Sequence, residues 1–377
     1  MPQPPREALA FLVPARHPGD AAAVAALFDS GALRPEEVVA ILGKTEGNGC
    51  VNDFTRAYAV EALAQMLAAR LGATAEAVLA RVAMVMSGGT EGGLSPHFLV
   101  LGVREAVASP GPALAIGTAF TPELPPEALG RRAQIEATAA AVRAAMEQAG
   151  ITDAADVHYV QVKCPLLTRE RITEAAARGA ACATGDTYAS MGLSRGASAL
   201  GVALALGEVP MSALGESVVG RDWALFSSRA SCSAGVELTR GEIVVLGMSA
   251  AWGGPLAIAH DVMADAIDLP AVQRALVAAG LGGGAGQLAP ANAARLVALL
   301  CKAEPSASGV IRGRRHIMWD DSDIHATRHA RALVGGVVAA ATGRTDLFVS
   351  GGAEHQGPDG GGPVAVIARR DRPGTVA

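Results

Sequence analysis

The sequence predicts an α/β protein in which three structurally related α/β domains surround a pseudo-threefold axis, with the active site at the centre. This prediction follows from the composition, from a short motif that recurs three times, and from the constant order of charged residues around that motif. The chain has 377 residues, a length that two to three domains would fill. Hydrophobic residues make up 50%, aromatic residues only 3%, and 45 residues are glycine, so we expect an aliphatic core and many tight turns.

The charge, the apolar runs and the cysteines exclude several classes of protein. With 31 basic and 36 acidic residues the net charge is −5, which argues against a nucleic-acid partner. No apolar run reaches the roughly 18 residues of a membrane span, so no membrane partner is expected. The 5 cysteines are odd in number and never CxxC-spaced, as in reduced cytoplasmic proteins. We therefore expect a cytoplasmic enzyme that acts on a small-molecule substrate.

A short motif of the form S-[GA]-G-x-E occurs three times. Its copies are SGGTE at 87–91, SAGVE at 233–237 and SGGAE at 350–354. Apolar runs that indicate strands precede the first and third copies, whereas the residues before the second copy are small and polar. A glycine-rich sequence yields one such match easily, but three copies with the same neighbours indicate an internal repeat.

A lysine and an arginine precede each copy of the motif in a fixed order. The lysine ends an apolar run, and the arginine follows a serine or threonine that we expect to cap an Ala-rich helix. The runs at 38–43 and 157–162 are predicted strands, whereas the run at 296–301 resembles a helix end. The three sets are Lys44, Arg56 and Ser87; Lys163, Arg195 and Ser233; and Lys302, Arg328 and Ser350.

Chain breaks between the sets define three repeat domains. Proline-rich segments at 109–112 and 122–126 separate the first two sets, and the residues GGP at 253–255 separate the last two. The unequal spacing within the sets indicates diverged domains rather than a solenoid. The predicted limits are 1–108 for domain A, 113–250 for domain B with the nucleophile and base, and 256–377 for domain C with a C-terminal metal loop.

Three converging sets would form a positively charged centre. Three arginines and three serine hydroxyls, with backbone N–H groups beside each serine, suit a small, planar, anionic ligand of near-threefold symmetry. Each Ser–Lys pair is also a potential nucleophile and base, because a buried lysine close to other cations loses its proton more readily.

The three pairs are expected to differ in the charge of their lysine. Glutamates at positions 46 and 304 follow the first and third lysines by two residues. In an extended strand they would lie on the same face as those lysines and keep them protonated. Lys163 has no such neighbour. We therefore predict that Lys163 is the base and that Ser233 is the nucleophile.

Three further features suggest other chemistry. His325 and His329 have the spacing of metal ligands on a helix, although no third residue completes a zinc site. Cys232 could act as a thiol nucleophile, but it has no counterpart in the other repeats. The loop at 351–363 exposes many carbonyl groups and, with a nearby carboxylate, could bind a hard cation.

Six segments of the chain together resemble the cyanuric acid hydrolase and barbiturase family of cyclic amide hydrolases. The resemblance implies three related α/β domains around a pseudo-threefold axis with a ring substrate at the centre. The matching segments run across nearly the whole chain and are GKTEGNGCVND at 43–53, VMSGGTEGGLSPH at 85–97, VQVKCPLLT at 160–168, DTYASMGLSRGASALG at 186–201, SDIHATRHARA at 322–332 and SGGAEHQGPDGGGPVAVIAR at 350–369.

The resemblance also implies a role for each matching residue. Ser233 and Lys163 would form a Ser-Lys dyad that opens the ring of cyanuric acid to carboxybiuret, which then gives biuret and CO2. The other substrate-binding residues would be Arg56, Ser87, Gly88, Arg195, Ala234, Arg328, Ser350 and Gly351, with Lys44 and Lys302 beside them.

A structural divalent cation, Mg or Ca, and a homo-oligomer, a tetramer, are further implications of the resemblance. No organic cofactor is implied. Two alternatives remain at this point: a barbiturase that opens a pyrimidine ring with the same residues, and a non-catalytic binding protein for planar anions. The implied metal ligands are Glu304, Ala353, Gln356, Gly357, Pro358 and Gly361.

Overall fold

This computed structural model describes residues 5–106, 111–215, 217–282 and 286–371. The strands are β1 (Arg6–Pro14), β2 (Val38–Thr45), β3 (Ala83–Gly88), β4 (His97–Glu105), β5 (Ala113–Glu123), β6 (Val157–Pro165), β7 (Ala230–Gly235), β8 (Arg240–Ser249), β9 (Trp252–Gly253), β10 (Leu256–Met263), β11 (Leu296–Ala303), β12 (Val310–Ile311), β13 (Arg314–Arg315), β14 (Phe348–Gly351) and β15 (Gly362–Arg369). The α-helices are α1 (Ala22–Asp29), α2 (Phe54–Leu71), α3 (Ala75–Leu79), α4 (Arg132–Ala149), α5 (Arg169–Ala177), α6 (Thr187–Ala205), α7 (Leu269–Ala278), α8 (Pro290–Ala293) and α9 (Ala326–Thr342).

The three main sheets share one plan. Their strand orders are β3-β2-β4-β1, with β9 added beside β1, then β7-β6-β8-β5 and β14-β11-β15-β10. In each sheet the first two strands of this order are parallel and the remaining neighbours are antiparallel, apart from β9. Because helices lie between these strands along the chain, the predicted α/β class with three related units is confirmed.

Each main sheet takes its four shared strands from one predicted segment. These strands fall within residues 6–105, 113–249 and 256–369. Strand β9 is different, because it lies in the predicted link before Pro255 and pairs in parallel with β1 of the first sheet. The predicted link at 109–112 and both chain ends lie partly outside the described residues, so the domain limits stay a prediction.

The lysine and serine strands are the most buried part of the fold. Every residue of β3, β7 and β11 is buried, as expected for strands covered on both faces. Strand β11 contains the run at 296–301, which the sequence analysis compared to a helix end. That prediction was wrong, because a short apolar run has no period that separates a buried strand from a buried helix.

Helices α2, α6 and α9 each lie between a lysine strand and its serine strand and carry the three arginines predicted above. Their first turns are capped by Asp53, Asp186 and His325, whose side chains accept backbone N–H groups. The serine or threonine before each arginine was expected to be the cap, but these residues lie inside the helices. The arginines therefore lie at different depths along their helices.

One apolar cluster joins all three sheets. It includes Leu42 of β2, Val162 of β6 and Leu300 of β11, each adjacent to or near a lysine. Since protein cores pack at crystal-like density, this shared core fixes the ends of the three lysine strands relative to one another. Within the described residues, no helix combines the length and the apolar character that a membrane span requires.

Candidate active site

The lysine and serine of each repeat lie side by side on parallel neighbouring strands. The serine strands are the edge strands of their sheets, so their outer backbone groups can bond to groups outside the sheet. The register pairs are Lys44 with Ser87, Lys163 with Ser233, and Lys302 with Ser350. The threefold pattern in the sequence is therefore also a threefold pattern in strand register.

The pairs of the first and third repeats form one hydrogen-bonded chain. Lys44 Nζ donates to Ser87 Oγ at 3.2 Å, and Lys302 Nζ donates to Ser350 Oγ at 3.0 Å. The two serine hydroxyls are 3.3 Å apart, with Ser87 donating to Ser350. Both hydroxyls are thus already engaged within the protein.

The middle pair is arranged differently. Ser233 Oγ is buried and has no hydrogen-bond partner among the described residues. Lys163 Nζ donates to the Met86 carbonyl at 2.6 Å and lies 2.8 Å from Glu237 Oε1. A buried hydroxyl without a partner costs free energy in the empty protein, and a ligand can recover that cost. Ser233 is therefore the serine that is free to react with a ligand.

Burial lowers the pKa of all three lysines. For Lys302 burial and then Arg195 lower the pKa to about 7. For Lys44 burial and then Arg331 lower the pKa well below its usual range. Burial also lowers the pKa of Lys163, although the Glu237 carboxylate acts in the opposite direction. Burial favours the neutral amine at all three positions, so the direction of the pKa shift does not by itself identify the base.

The sequence argument from glutamates 46 and 304 is wrong in its details. Strands β2 and β11 end at Thr45 and Ala303, so these glutamates lie beyond the extended segments in which the i, i+2 rule applies. Glu46 is exposed. The lysine that does contact a carboxylate is Lys163, and its partner Glu237 belongs to the repeated motif.

The third central arginine is Arg331, and not Arg328 as the sequence analysis predicted. The side chain of Arg331 is only 4% exposed and lines the central cavity, whereas that of Arg328 is 44% exposed. The two residues lie on α9 almost one turn apart. Arg56 and Arg195 line the cavity as predicted.

The glutamate of each S-[GA]-G-x-E motif pairs with an arginine of another repeat. Glu91 binds Arg331 through two hydrogen bonds of 2.6 and 2.5 Å. Glu354 binds Arg195 in the same bidentate way, at 2.7 and 2.6 Å. In the middle motif Glu237 is 3.7 Å from Arg56 and closer to Lys163. Bidentate pairs fix the guanidinium plane, so these carboxylates orient the central arginines.

In the first and third copies of the motif, the third residue is glycine because an arginine passes beside it. A Cβ atom at Gly89 would lie 2.6 Å from Arg331 Nη2, and one at Gly352 would lie 2.5 Å from Arg195 Nε. Both glycines also have a positive φ, 105° and 80°, which disfavours other residues. The sequence analysis noted the glutamate and this glycine but used only the serine of the motif.

The cavity at the centre is narrow. Its volume is about 20 Å³, which is room for about one water molecule, so a six-membered ring can enter only if the surrounding side chains move apart. Lys44, Lys302 and Ser350 lie just behind its wall. The lining residues are Gly49, Arg56, Met86, Ser87, Gly88, Lys163, Met191, Arg195, Ser233, Ala234, Arg331 and Gly351.

The first predicted metal ligand, Glu304, is a partly buried carboxylate. Its Oε2 accepts the Ala353 N–H at 3.1 Å. Burial and the neighbouring Glu354 raise the pKa of Glu304 to about 8. A carboxylate held in this way would be stabilised by a nearby cation.

The remaining predicted ligands could contribute backbone oxygens. The side-chain Oε1 of Gln356 already accepts the Cys232 N–H at 2.6 Å, which leaves its main-chain carbonyl. Gly357, Pro358 and Gly361 lie in the same tight loop, where the Pro358 carbonyl accepts the Gly361 N–H at 2.9 Å. In the described part of the chain no cluster of three His, Cys, Asp or Glu could hold a metal. One carboxylate with several carbonyl oxygens is a donor set that fits Mg²⁺ or Ca²⁺.

The geometry supports neither a zinc site at the two histidines nor a thiol nucleophile at Cys232. His329 Nε2 contacts Asp321 at 2.8 Å, whereas His325 Nε2 contacts the hydroxyl of Tyr188 at 2.6 Å, so the two imidazoles do not share a ligand position. Cys232 is fully buried, and burial raises the pKa of its thiol well above its usual value. A thiol in that state is a poor nucleophile.

Comparison with known proteins identifies the family. The model of the amidohydrolase ring-opening protein family matches residues 10–369 of the chain. The chain belongs to this family. The predicted resemblance is therefore confirmed, and so is the prediction of an enzyme that hydrolyses cyclic amides.

This ring-opening amidohydrolase has close relatives of nearly equal length. The cyanuric acid amidohydrolase of Methylobacterium sp. (strain 4-46) is 62% identical and covers 97% of this chain and 98% of its own length. That of Azorhizobium caulinodans is 60% identical, with 94% and 96% covered. One solved cyanuric acid hydrolase structure has a TM-score of 0.93 at 50% identity, covering 97% and 99% of the two chains. The crystal structure of the A. caulinodans hydrolase has a TM-score of 0.90 at 58% identity, covering 97% and 100%.

Proposed function

We propose that this ring-opening amidohydrolase hydrolyses cyanuric acid, with Ser233 as the nucleophile and Lys163 as its base. The observation that carries the proposal is the buried Ser233 hydroxyl, which lacks a partner among the described residues and lies in register with Lys163. The names of relatives at 62% and 60% identity support the choice of substrate.

The centre suits this ring. Cyanuric acid is planar, becomes an anion readily and has three carbonyl oxygens arranged with threefold symmetry. Three arginines line the cavity, and an edge strand from each repeat supplies polar backbone groups. Each carbonyl could thus meet one arginine and one serine strand, which would hold the ring in a single plane.

The reaction proceeds through an acyl-enzyme. Neutral Lys163 takes the Ser233 proton, and Oγ attacks a ring carbonyl to give a tetrahedral oxyanion. Backbone N–H groups at Gly88, Ala234 or Gly351 stabilise that charge. The C–N bond then breaks, and Lys163 returns the proton to the leaving nitrogen. Water, deprotonated by the same lysine, cleaves the acyl-enzyme to carboxybiuret, which loses CO2 to give biuret.

The metal and the oligomer belong to the same proposal. Glu304 and the carbonyl groups of the C-terminal loop would hold a divalent ion, Mg or Ca, which would neutralise Glu304 and stabilise the loop behind Arg195. Removal of this ion by a chelator is expected to lower thermal stability, measured by calorimetry. We also expect a homotetramer, which light scattering on the eluting protein would test.

A comparison of two substrates tests the proposed function. Purified protein is incubated with cyanuric acid or barbituric acid, and the loss of each ring is followed by chromatography together with the release of biuret and CO2. We expect turnover of cyanuric acid and little of barbituric acid. The reverse preference would make the protein a barbiturase, and no turnover of either would leave a binding protein for planar anions.

Matched variants test the dyad. Ser233→Ala and Lys163→Ala should lower kcat by several powers of ten, because a nucleophile or its base is lost. They should also prevent covalent trapping by an acylating inhibitor. Ser87→Ala is the control, since it removes a serine of the same cavity but should still allow an adduct at Ser233. An adduct mapped by mass spectrometry to Ser87 or Ser350 in the unmodified enzyme would show that the assignment is wrong.

A further inference from the structure

A second cavity, here called the rear cavity, lies on the opposite side of strand β3 from the central cavity. Its volume is about 670 Å³, and its deepest charged residues are Glu237 and Glu242. Its rim includes Glu123 and Thr239, which are exposed, so the cavity opens to solvent. Strand β3 separates it from the central cavity, since Met84 lines the rear cavity and Met86 lines the central one.

Glu237 connects the two sides. Its side chain is only 5% exposed and lies 2.8 Å from Lys163 Nζ and 3.7 Å from Arg56. Burial raises its pKa, but Lys163 and Arg56 together lower it by more, so Glu237 is normally a carboxylate. It can therefore accept a proton from the Lys163 ammonium on the side away from the ring.

Glu242 lies directly opposite Lys163 on strand β8. Its Oε2 accepts the Met84 N–H at 2.8 Å, while Lys163 donates to the Met86 carbonyl on the same strand. Burial raises the pKa of Glu242 to about 7, against the opposing effects of the Met84 N–H, Arg240 and Lys163. The other charged side chains around the rear cavity are Glu76, Glu123 and Arg240.

Neither of the other lysines has this arrangement in the described structure. The residue opposite Lys44 is His97, which is fully buried. The ladder between β11 and β15 ends at Cys301 and Val364, before Lys302. Among the residues that the structure describes, a carboxylate thus lies in register opposite the lysine only in the repeat that contains Ser233.

We propose that Glu237 and Glu242 conduct a proton from Lys163 to the rear cavity, along a route to solvent that does not pass the ring. The inference rests on the proposed role of Lys163 as the base. It assigns two further residues to this site, and both act through Lys163 rather than on the substrate.

The proton balance for the neutral form of the ring requires such an exit. Hydrolysis of this form breaks one C–N bond and forms one C–O bond, the leaving nitrogen gains a proton from water, and the new acid group ionises at neutral pH. One proton is then left over for each neutral ring that is opened. It passes from the acid to Lys163 and then to Glu237, and water in the rear cavity, which Glu237 and Glu242 both line, carries it to Glu242 and to solvent. Every group then has its starting charge.

The test compares Glu242→Gln with Glu123→Gln, a change at the rim of the same cavity. Rates with cyanuric acid are measured from pH 6 to 9 in dilute buffer, with and without imidazole, which the rear cavity can admit. General acid–base groups typically contribute about 10²–10⁴-fold, so Glu242→Gln should lower kcat by at least roughly tenfold with little change in KM. Imidazole should restore the rate of this variant and leave the unmodified enzyme and Glu123→Gln unchanged.

Three results would overturn the inference. They are an unchanged kcat in Glu242→Gln, a loss that imidazole does not restore, and an equal loss in Glu123→Gln. If Glu242→Gln does not fold, Glu242→Asp keeps the acid group and should retain most of the activity with the same pH profile, whereas Glu237→Gln should show the imidazole rescue. Full activity of Lys163→Ala would instead refute the proposed base, so the two failures can be distinguished.

Discussion

Arg331 and Arg328 differ in what their guanidinium groups can reach, although both contact Glu91. Arg331 binds Glu91 with two short hydrogen bonds and faces the cavity, whereas Arg328 reaches one oxygen at 3.2 Å from an exposed position. Arg331→Lys keeps the charge but loses the planar fork. A lost charge-assisted hydrogen bond costs about 1.5–3 kcal/mol, so we expect kcat/KM to fall roughly tenfold or more.

Arg328→Lys is the matched control for this prediction. It is expected to change kcat/KM by less than about twofold, because exposed ion pairs contribute little. Steady-state kinetics with cyanuric acid measure both variants. If the two lysine variants had equal effects, Arg331 would not be the third ring-binding arginine.

The order of residues in the sequence was enough to predict which lysine lies beside each serine, but not which arginines reach the centre. The Lys–Ser pairs are fixed by strand register, so their order in the sequence maps directly onto their contacts. The position that an arginine side chain reaches depends also on where its helix begins. The caps are Asp53, Asp186 and His325, which the repeat did not indicate, and Arg331 was therefore missed.

Among the elements, helix α9 contains a site where stability can be increased. Gly336 is exposed in the helix interior, and a Cβ atom there would meet nothing within 4 Å. Gly336→Ala should stabilise the protein by about 0.5–1 kcal/mol, since alanine has the better helix propensity. Urea unfolding of both proteins measures the change.

Gly117 of β5 is the contrasting position. A Cβ atom there would lie 1.9 Å from the Ala145 carbonyl of α4, so this helix packs directly on the strand backbone. Gly117→Ala should destabilise the protein by about 1–3 kcal/mol or more, because the helix must move away. An unfolding free energy equal to that of the unmodified protein would contradict this packing.

The order of the elements was easier to predict than their type. Strands β2 and β6 were predicted from apolar runs, and both end near the predicted lysine. Strand β11 was not, because the six apolar residues at 296–301 fit a buried helix as well as a buried strand. Strand β9 could not be foreseen, since its two residues join a sheet that the first repeat forms.

For the whole molecule, a histidine pair makes stability depend on pH. His158 of β6 and His260 of β10 join the second and third sheets, with their Nδ1 atoms 2.8 Å apart. Burial, then His158 and Arg229, lower the pKa of His260 from 6.5 to about 4. The unfolded chain therefore takes up its proton first, and stability is lost as the pH falls from about 6.5 towards 4. At roughly 1.4 kcal/mol per pKa unit, the loss from His260 can reach about 3 kcal/mol.

Unfolding in urea at pH 7.5 and pH 5 tests this dependence. His260→Gln should reduce the difference between the two pH values, although buried His97 contributes in the same direction because burial lowers its pKa to about 4. His17→Gln changes an exposed histidine and should leave the difference unaltered. A difference that His260→Gln does not reduce would exclude the pair as its source.

The three glutamate–arginine contacts run in one direction around the axis. The first repeat's Glu91 holds the third repeat's Arg331, the third repeat's Glu354 holds Arg195 of the second, and the second repeat's Glu237 faces Arg56 of the first. This is the head-to-tail pattern by which three identical subunits close a C3 ring.

In a trimer of identical subunits every substitution would appear in all three subunits at once. In a single chain each repeat can change alone, so a glutamate lies opposite one lysine and a histidine opposite another. One repeat can therefore differ from the other two in the charge beside its lysine and in the freedom of its serine hydroxyl, a division of labour that no ring of identical subunits could encode.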